Sequence, residues 1–208
     1  MVDRWQNVAG VCALVGGGLV VVSSIPPAWY GVEPTDSYLF DPAVFSPLWT
    51  ERMLMPLLSL GALVGLLVGV GALVYRDWSV SRTLRVGGSL AVLGGTTLAV
   101  GLYGPEFVSP AGTPVGPVAG IAGFALLVWG GLLLLVGGPL LAYSYLRAGR
   151  RWLAGTILGV VPMMLLIGSL FPGGIADLGS SIPAFVLGVV IARDLVLREP
   201  AGRDMGTV

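Results

Sequence analysis

The stretch that decides the fold is residues 50–77, TERMLMPLLSLGALVGLLVGVGALVYRD. Glu51 and Arg52 open it, a second charged pair closes it at positions 76 and 77, and the residues between carry no charge. About 23 helical residues, rising about 1.5 Å each, cross the roughly 30 Å hydrocarbon core of a bilayer. The stretch therefore predicts a membrane-spanning helix.

Glycines mark the face of this helix that another helix can approach. Gly61, Gly65 and Gly69 recur every fourth residue and so lie on one side. Small residues let helix backbones come close, and close packing holds helices together in lipid. The same spacing recurs at Gly155 and Gly159. We predict all five as helix-packing positions, either within the bundle or against a partner.

Composition extends the membrane assignment to the whole chain. Of its 208 residues, 55% are hydrophobic and 11% are charged, whereas soluble domains carry about 25% charged residues. The mean hydropathy is +0.91. No polar stretch is long enough for a second folded domain. Every basic residue is arginine, which together with the acidic loops makes the composition archaeal-like.

Six apolar runs predict an all-α fold, a polytopic membrane protein built as a bundle of six transmembrane helices. A cleaved signal peptide is the alternative for the first run, but that run is long enough to span and we expect it to be retained. Pro139 and Pro162 predict helix kinks, since proline removes a backbone hydrogen bond. The predicted spans are about 8–25, 53–75, 86–103, 118–146, 153–171 and 180–197, with an aromatic and proline-rich outer loop at 26–52 and a disordered tail at 198–208.

Arginine distribution predicts the orientation. The second and fourth loops and the C-terminal tail hold eight of the eleven arginines, whereas the other three loops hold only Arg52 among several acids. Loops rich in arginine stay in the cytoplasm. We therefore expect an N-in/C-in, multi-pass protein of the cell membrane, with the acidic loops outside.

The sequence contains little that is typical of an enzyme. It has no histidine, the commonest metal ligand and general base near neutral pH, and its one cysteine, Cys12, cannot form an intrachain disulfide. Within the predicted spans, no Asp, Glu, Arg, Lys or His comes before Arg193. Proton pumps carry ionisable residues at membrane depth, so this absence disfavours a proton-coupled pump. No hydrolase, zinc-protease or nucleotide-binding motif is present. We predict no catalytic residue, cofactor or metal, and no nucleic-acid partner.

The charges that remain outside form a candidate cluster at the outer rim. Glu51, Arg52, Glu106 and Asp177 come from three loops and would have to converge. Arg52 could then hold one of the acids by a bidentate pair. The alternative is a set of solvated loop charges, since exposed ion pairs contribute little.

Two function classes fit these features. The first is a non-enzymatic scaffold or accessory subunit, suggested by the glycine faces, with a partner that is the bilayer, another membrane protein or a second copy. The second is a small transporter or channel for a weakly polar solute or a cation, suggested by Pro139 and Pro162 in consecutive spans, because broken helices free backbone carbonyls to coordinate a solute. A membrane enzyme ranks third, since its catalytic groups would have to be the rim carboxylates.

Overall fold

The computed structural model describes residues 2–30, 54–108, 116–170 and 174–197, and these form six α-helices. The predicted all-helical class is confirmed. In chain order the helices are α1 (Val2–Tyr30), α2 (Met55–Arg76), α3 (Arg82–Val108), α4 (Gly116–Arg147), α5 (Arg151–Leu170) and α6 (Gly174–Leu197).

Four of these helices are long and apolar enough to cross a membrane, which indicates a membrane protein. α5 contributes a shorter apolar stretch, Arg151–Ile167. The four candidate spans are Arg4–Ile25, Met55–Arg76, Arg82–Pro105 and Val118–Arg147.

Glycines bring α1 against both α2 and α6. A Cβ atom placed on Gly65 of α2 would lie 2.5 Å from the carbonyl oxygen of Cys12. A Cβ atom on Gly188 of α6 would lie 2.5 Å from the carbonyl oxygen of Ala13, one residue further along α1. Real Cβ atoms do not approach carbonyl oxygens so closely, so these backbone contacts require glycine.

A second glycine contact joins α3 and α4. A spacing of seven residues is close to two helical turns, so each set of glycines lies on one face. A Cβ atom on Gly94 would lie 2.9 Å from the carbonyl oxygen of Gly130, and one on Gly101 would lie 2.8 Å from that of Gly123. The two facing sets are Gly87, Gly94 and Gly101 on α3, and Gly123, Gly130 and Gly137 on α4.

Neighbouring helices run antiparallel, which gathers the arginines of the described helices at one end. The α1 start meets the α6 end, because a Cβ atom on Gly10 would lie 3.1 Å from Val196. The α2–α3 and α4–α5 turns lie at that same end, since Arg76 and Arg150 both contact Asp194 of α6. We call this the arginine end; it carries Arg4, Arg76, Arg82, Arg85, Arg147, Arg150, Arg151 and Arg193.

The best-buried apolar side chains also lie towards the arginine end. They come from α2 to α6 and belong to one buried cluster with Tyr145, which is fully buried. This half of the bundle is therefore the more tightly packed part of the described structure. The largest of these side chains are Leu73, Leu84, Leu141, Leu153, Ile191 and Leu195.

Three helices, α1, α3 and α6, extend into segments that the sequence predicts as loops, and α1 and α6 show why. α1 continues through Pro26 and Pro27 to Tyr30, because proline's fixed φ is helical and its lost hydrogen bonds fall near the helix end. α6 begins at Gly174, well before the predicted residue 180. Within that extension Gly179 lies against Ile167 of α5, so tertiary packing supports helix where the composition favours a loop.

Candidate functional site

Four charged side chains meet at the arginine end and form what we call the charge cluster: Arg76, Asp77, Arg150 and Asp194. Arg76 Nη2 lies 3.1 Å from Asp77 Oδ2 and 2.7 Å from Asp194 Oδ2. Arg150 Nη1 lies 2.9 Å and 2.5 Å from the same two oxygens. Both arginines thus contact both aspartates, and all four side chains are almost completely buried.

The end of α2 positions the first pair. The Asp77 backbone N–H donates to the Leu73 carbonyl at 3.0 Å, which closes the last turn of α2. Arg76 then reaches across to α6, where Nη1 donates to the Asp194 backbone carbonyl at 2.7 Å and Nη2 to its carboxylate. The cluster therefore ties α2 to α6 through both a side chain and the backbone.

A tight turn between α4 and α5 supplies the second arginine. Gly149 has a φ of 76°, a left-handed conformation that favours glycine. The turn is closed by the Arg150 N–H, which donates to the Tyr145 carbonyl at 2.8 Å. Arg150 points inward and is buried, whereas Arg147 and Arg151 on either side of the turn are exposed.

The balance of charge explains why the cluster can be buried. Transfer of one charged group out of water costs several kcal/mol, and only opposite charges with good hydrogen bonds compensate for it. Here two guanidinium groups face two carboxylates, and each Oδ2 accepts from two donors. The cluster is neutral as a set, and its members hold α2, the α4–α5 turn and α6 together.

Tyr145 lies beside the charge cluster, and its hydroxyl group is buried. Arg150 stands over the Tyr145 ring at 5.7 Å from its centroid, within the distance of a cation–π contact. Among the described residues, the Tyr145 hydroxyl is a buried polar group without a hydrogen-bond partner. A buried hydroxyl in that state costs stability.

An apolar groove separates part of α2 from α3. It has a volume of about 530 Å³ and no charged residue in its lining. The Thr96 hydroxyl in the groove donates to the Val92 carbonyl of its own helix. The groove is lined by Leu60, Val64, Leu67, Val68, Thr96, Ala99, Val100, Tyr103 and Gly104.

The predicted outer-rim residues fall at the opposite end of the bundle or outside the described chain. Glu51 and Arg52 lie outside the described residues. Glu106 lies near the end of α3 and Asp177 near the start of α6, both away from the arginine end, and only their backbone is described. Their convergence stays a prediction.

The predicted packing glycines occupy different surroundings. Gly65 and Gly69 meet α1, and Gly61 makes an ordinary contact with Leu19. Gly155 and Gly159 on α5 have no neighbouring atom within 4 Å of an added Cβ. Those two positions are therefore open among the residues that the structure describes.

The helices continue through their prolines, and several of their hydroxyls form hydrogen bonds within the same helix. α4 runs on through Pro139 and α5 through Pro162, so neither is broken into two half-helices. Five hydroxyls within the spans donate to carbonyls three or four residues earlier on their own helix: Thr96, Thr97, Ser144, Thr156 and Ser169.

Sequence reasoning misses the charge cluster because each member looks like an ordinary helix-end charge. Asp194 contacts Arg76 and Arg150, which come from distant parts of the chain. One signal was present in the sequence. Asp77 and Asp194 are acids within arginine-rich segments, where a carboxylate has several candidate partners.

The described residues contain no group of three or more His, Cys, Asp or Glu side chains that could hold a metal ion. No family model, curated protein or solved structure matches this chain. The basis for a function is therefore its own residues and their contacts.

Proposed function

We propose that this protein is a multi-pass protein of the cell membrane and a non-enzymatic scaffold or accessory subunit. The observation that carries the proposal is the charge cluster, in which buried charges of the described bundle bind one another. The hydroxyls bonded within their own helices support it as well. A described bundle whose buried charges and helix hydroxyls bind groups of the same bundle favours a role in which helix faces bind partners over a role in chemistry.

Six spans with both termini in the cytoplasm form part of the proposal. The antiparallel helices support it, because they place eight arginines at one end, and the positive-inside rule assigns that end to the cytoplasm. The test uses a Cys12→Ala background with Asp36→Cys. An impermeant maleimide is expected to label position 36 in intact cells, and labelling only after permeabilisation would reverse the orientation.

The partner surface we propose is the face of α5 that carries Gly155 and Gly159. Both positions are open, and small residues there permit close approach of another helix. We expect Gly155→Leu to lose a partner, or self-association, in a detergent pull-down while the bundle keeps its melting temperature. Gly71→Leu on α2 is the matched control, since Gly71 is also open. Full retention of all partners by Gly155→Leu would remove this face from the proposal.

Transport is the second candidate function, and the groove between α2 and α3 favours it. Its apolar lining fits an apolar or weakly polar solute better than a cation. Flux of such a solute into proteoliposomes is the direct test. Val64→Trp should block the groove and the flux, whereas Val161→Trp on α5, similarly exposed, should leave both unchanged. Absence of flux in the parent protein contradicts this candidate.

A further inference from the structure

Among the side chains that the structure describes, the arginine end carries an excess of exposed positive charge. Of its eight arginines, the charge cluster uses two, and these bind the two aspartates whose side chains are described. The other six are exposed. We call these six the arginine band: Arg4, Arg82, Arg85, Arg147, Arg151 and Arg193.

Aromatic side chains accompany the arginine band. Trp5 follows Arg4 and is 76% exposed, and Trp152 follows Arg151 and is 80% exposed. Tryptophan is enriched at the headgroup level of membranes, where its ring is buried and its N–H stays polar. The two tryptophans thus place the band at the depth of lipid headgroups.

The α4–α5 turn shows how part of the band is arranged. The Arg147 guanidinium carbon lies 4.9 Å from the centre of the Tyr143 ring, a cation–π contact that holds this side chain at the surface. Arg150 points inward to the charge cluster, so Arg147 and Arg151 remain as two exposed cations on either side of one tight turn.

We propose that the arginine band binds the phosphate groups of anionic phospholipids, and that the α4–α5 turn is one of its contact sites. Guanidinium groups bind phosphate oxygens in a bidentate, charge-assisted way. Clusters of about four to eight basic residues beside membrane helices are typical of anionic-lipid binding. The proposal rests on the membrane embedding proposed above.

The distribution of the band favours lipid over a free anion or a nucleic acid. Its six arginines come from five of the six described helices, α1 and α3 to α6, and so are distributed over several helix ends. A free anion would need donors that converge on one point, and a nucleic acid would need a continuous polar face. Exposed apolar residues such as Leu146 and Val196 lie next to the band, as expected for a surface that meets both acyl chains and headgroups.

The test compares lipids on the purified full-length protein in detergent. Phosphatidylglycerol is expected to bind more tightly than phosphatidylcholine by native mass spectrometry and to raise the melting temperature more. Each arginine near an anionic surface is worth about a fivefold change in affinity, so Arg147→Gln with Arg151→Gln should weaken phosphatidylglycerol binding about 25-fold. The control, Arg52→Gln, removes an arginine that the proposed orientation assigns to the opposite side of the membrane, and it should leave phosphatidylglycerol binding nearly unchanged.

Further arms identify the ligand and separate lipid binding from folding. Inorganic phosphate should neither compete nor raise the melting temperature; if it does both, the site is one for free anions. Arg147→Lys with Arg151→Lys keeps the charge and should retain most of the preference. Equal affinity of parent and Gln variant, or of the two lipids, would overturn the proposal. Loss of this preference alone leaves the labelling of position 36 and the partner pull-down unchanged.

Discussion

Replacement of Asp194 by asparagine tests whether the charge cluster holds the bundle together. The carboxylate provides two of the four ion-pair contacts, at 2.7 Å from Arg76 and 2.5 Å from Arg150, and is the member of the cluster that belongs to α6. After the change, both arginines share Asp77, at 3.1 Å and 2.9 Å. Within the charge cluster, two positive charges then face one negative charge, so one of them is not compensated there.

The expected loss follows from that uncompensated charge. Removal of one partner from a buried ion pair costs about 3–5 kcal/mol. At about 2–4 °C per kcal/mol for a chain of this size, the melting temperature should fall by about 6–20 °C. Because the pairs are buried, the loss should persist at high salt, which screens exposed charges much more strongly.

The assay is thermal unfolding of the purified protein in detergent, followed by tryptophan fluorescence at low and high salt. Arg193→Gln is the matched control. Arg193 is next to Asp194 in the sequence but is exposed, so removal of its charge should cost little stability. Asp194→Leu combined with Arg150→Met should cost less than the sum of the two single changes, since it removes a charge of each sign. A melting temperature within about 2 °C of the parent for Asp194→Asn, less than the shift from about 1 kcal/mol, would refute the reasoning.

Three other perturbations test separate parts of the structure. Gly94→Leu should destabilise the α3–α4 contact by at least about 1–3 kcal/mol, because its Cβ would lie 2.9 Å from the Gly130 carbonyl oxygen, while Gly131→Leu, with open space around it, should not. Tyr145→Phe should leave the melting temperature unchanged or raise it, by up to about 1 kcal/mol of stability, because it removes a buried hydroxyl that has no hydrogen-bond partner among the described residues. A clear loss of stability would mean that the hydroxyl is bonded. Arg52→Ala should increase proteolysis of loop 26–52 and lower the melting temperature, more so at low salt; identical behaviour of variant and parent would make Arg52 an ordinary solvated charge.

Local composition was sufficient to predict the helices and to predict that most arginines lie at one end of the bundle. An apolar run such as 53–75 forms a helix in lipid because each backbone group must be satisfied within the segment. Arginines cluster at alternate helix ends, so antiparallel neighbours inevitably bring them together. The same local view predicted Gly65 as a packing position, since a four-residue spacing is visible along one helix.

The tertiary structure decided which of these residues contact one another. The seven-residue glycine pattern of α3 becomes a packing surface only because it faces the glycine pattern of α4. Gly155 stays open because no helix of the described chain covers it. Asp77 and Asp194 are 117 positions apart, yet both lie between Arg76 and Arg150. Helix formation depends on near neighbours in the sequence, whereas the burial of a charge depends on which helix ends meet, and only the packed bundle determines that.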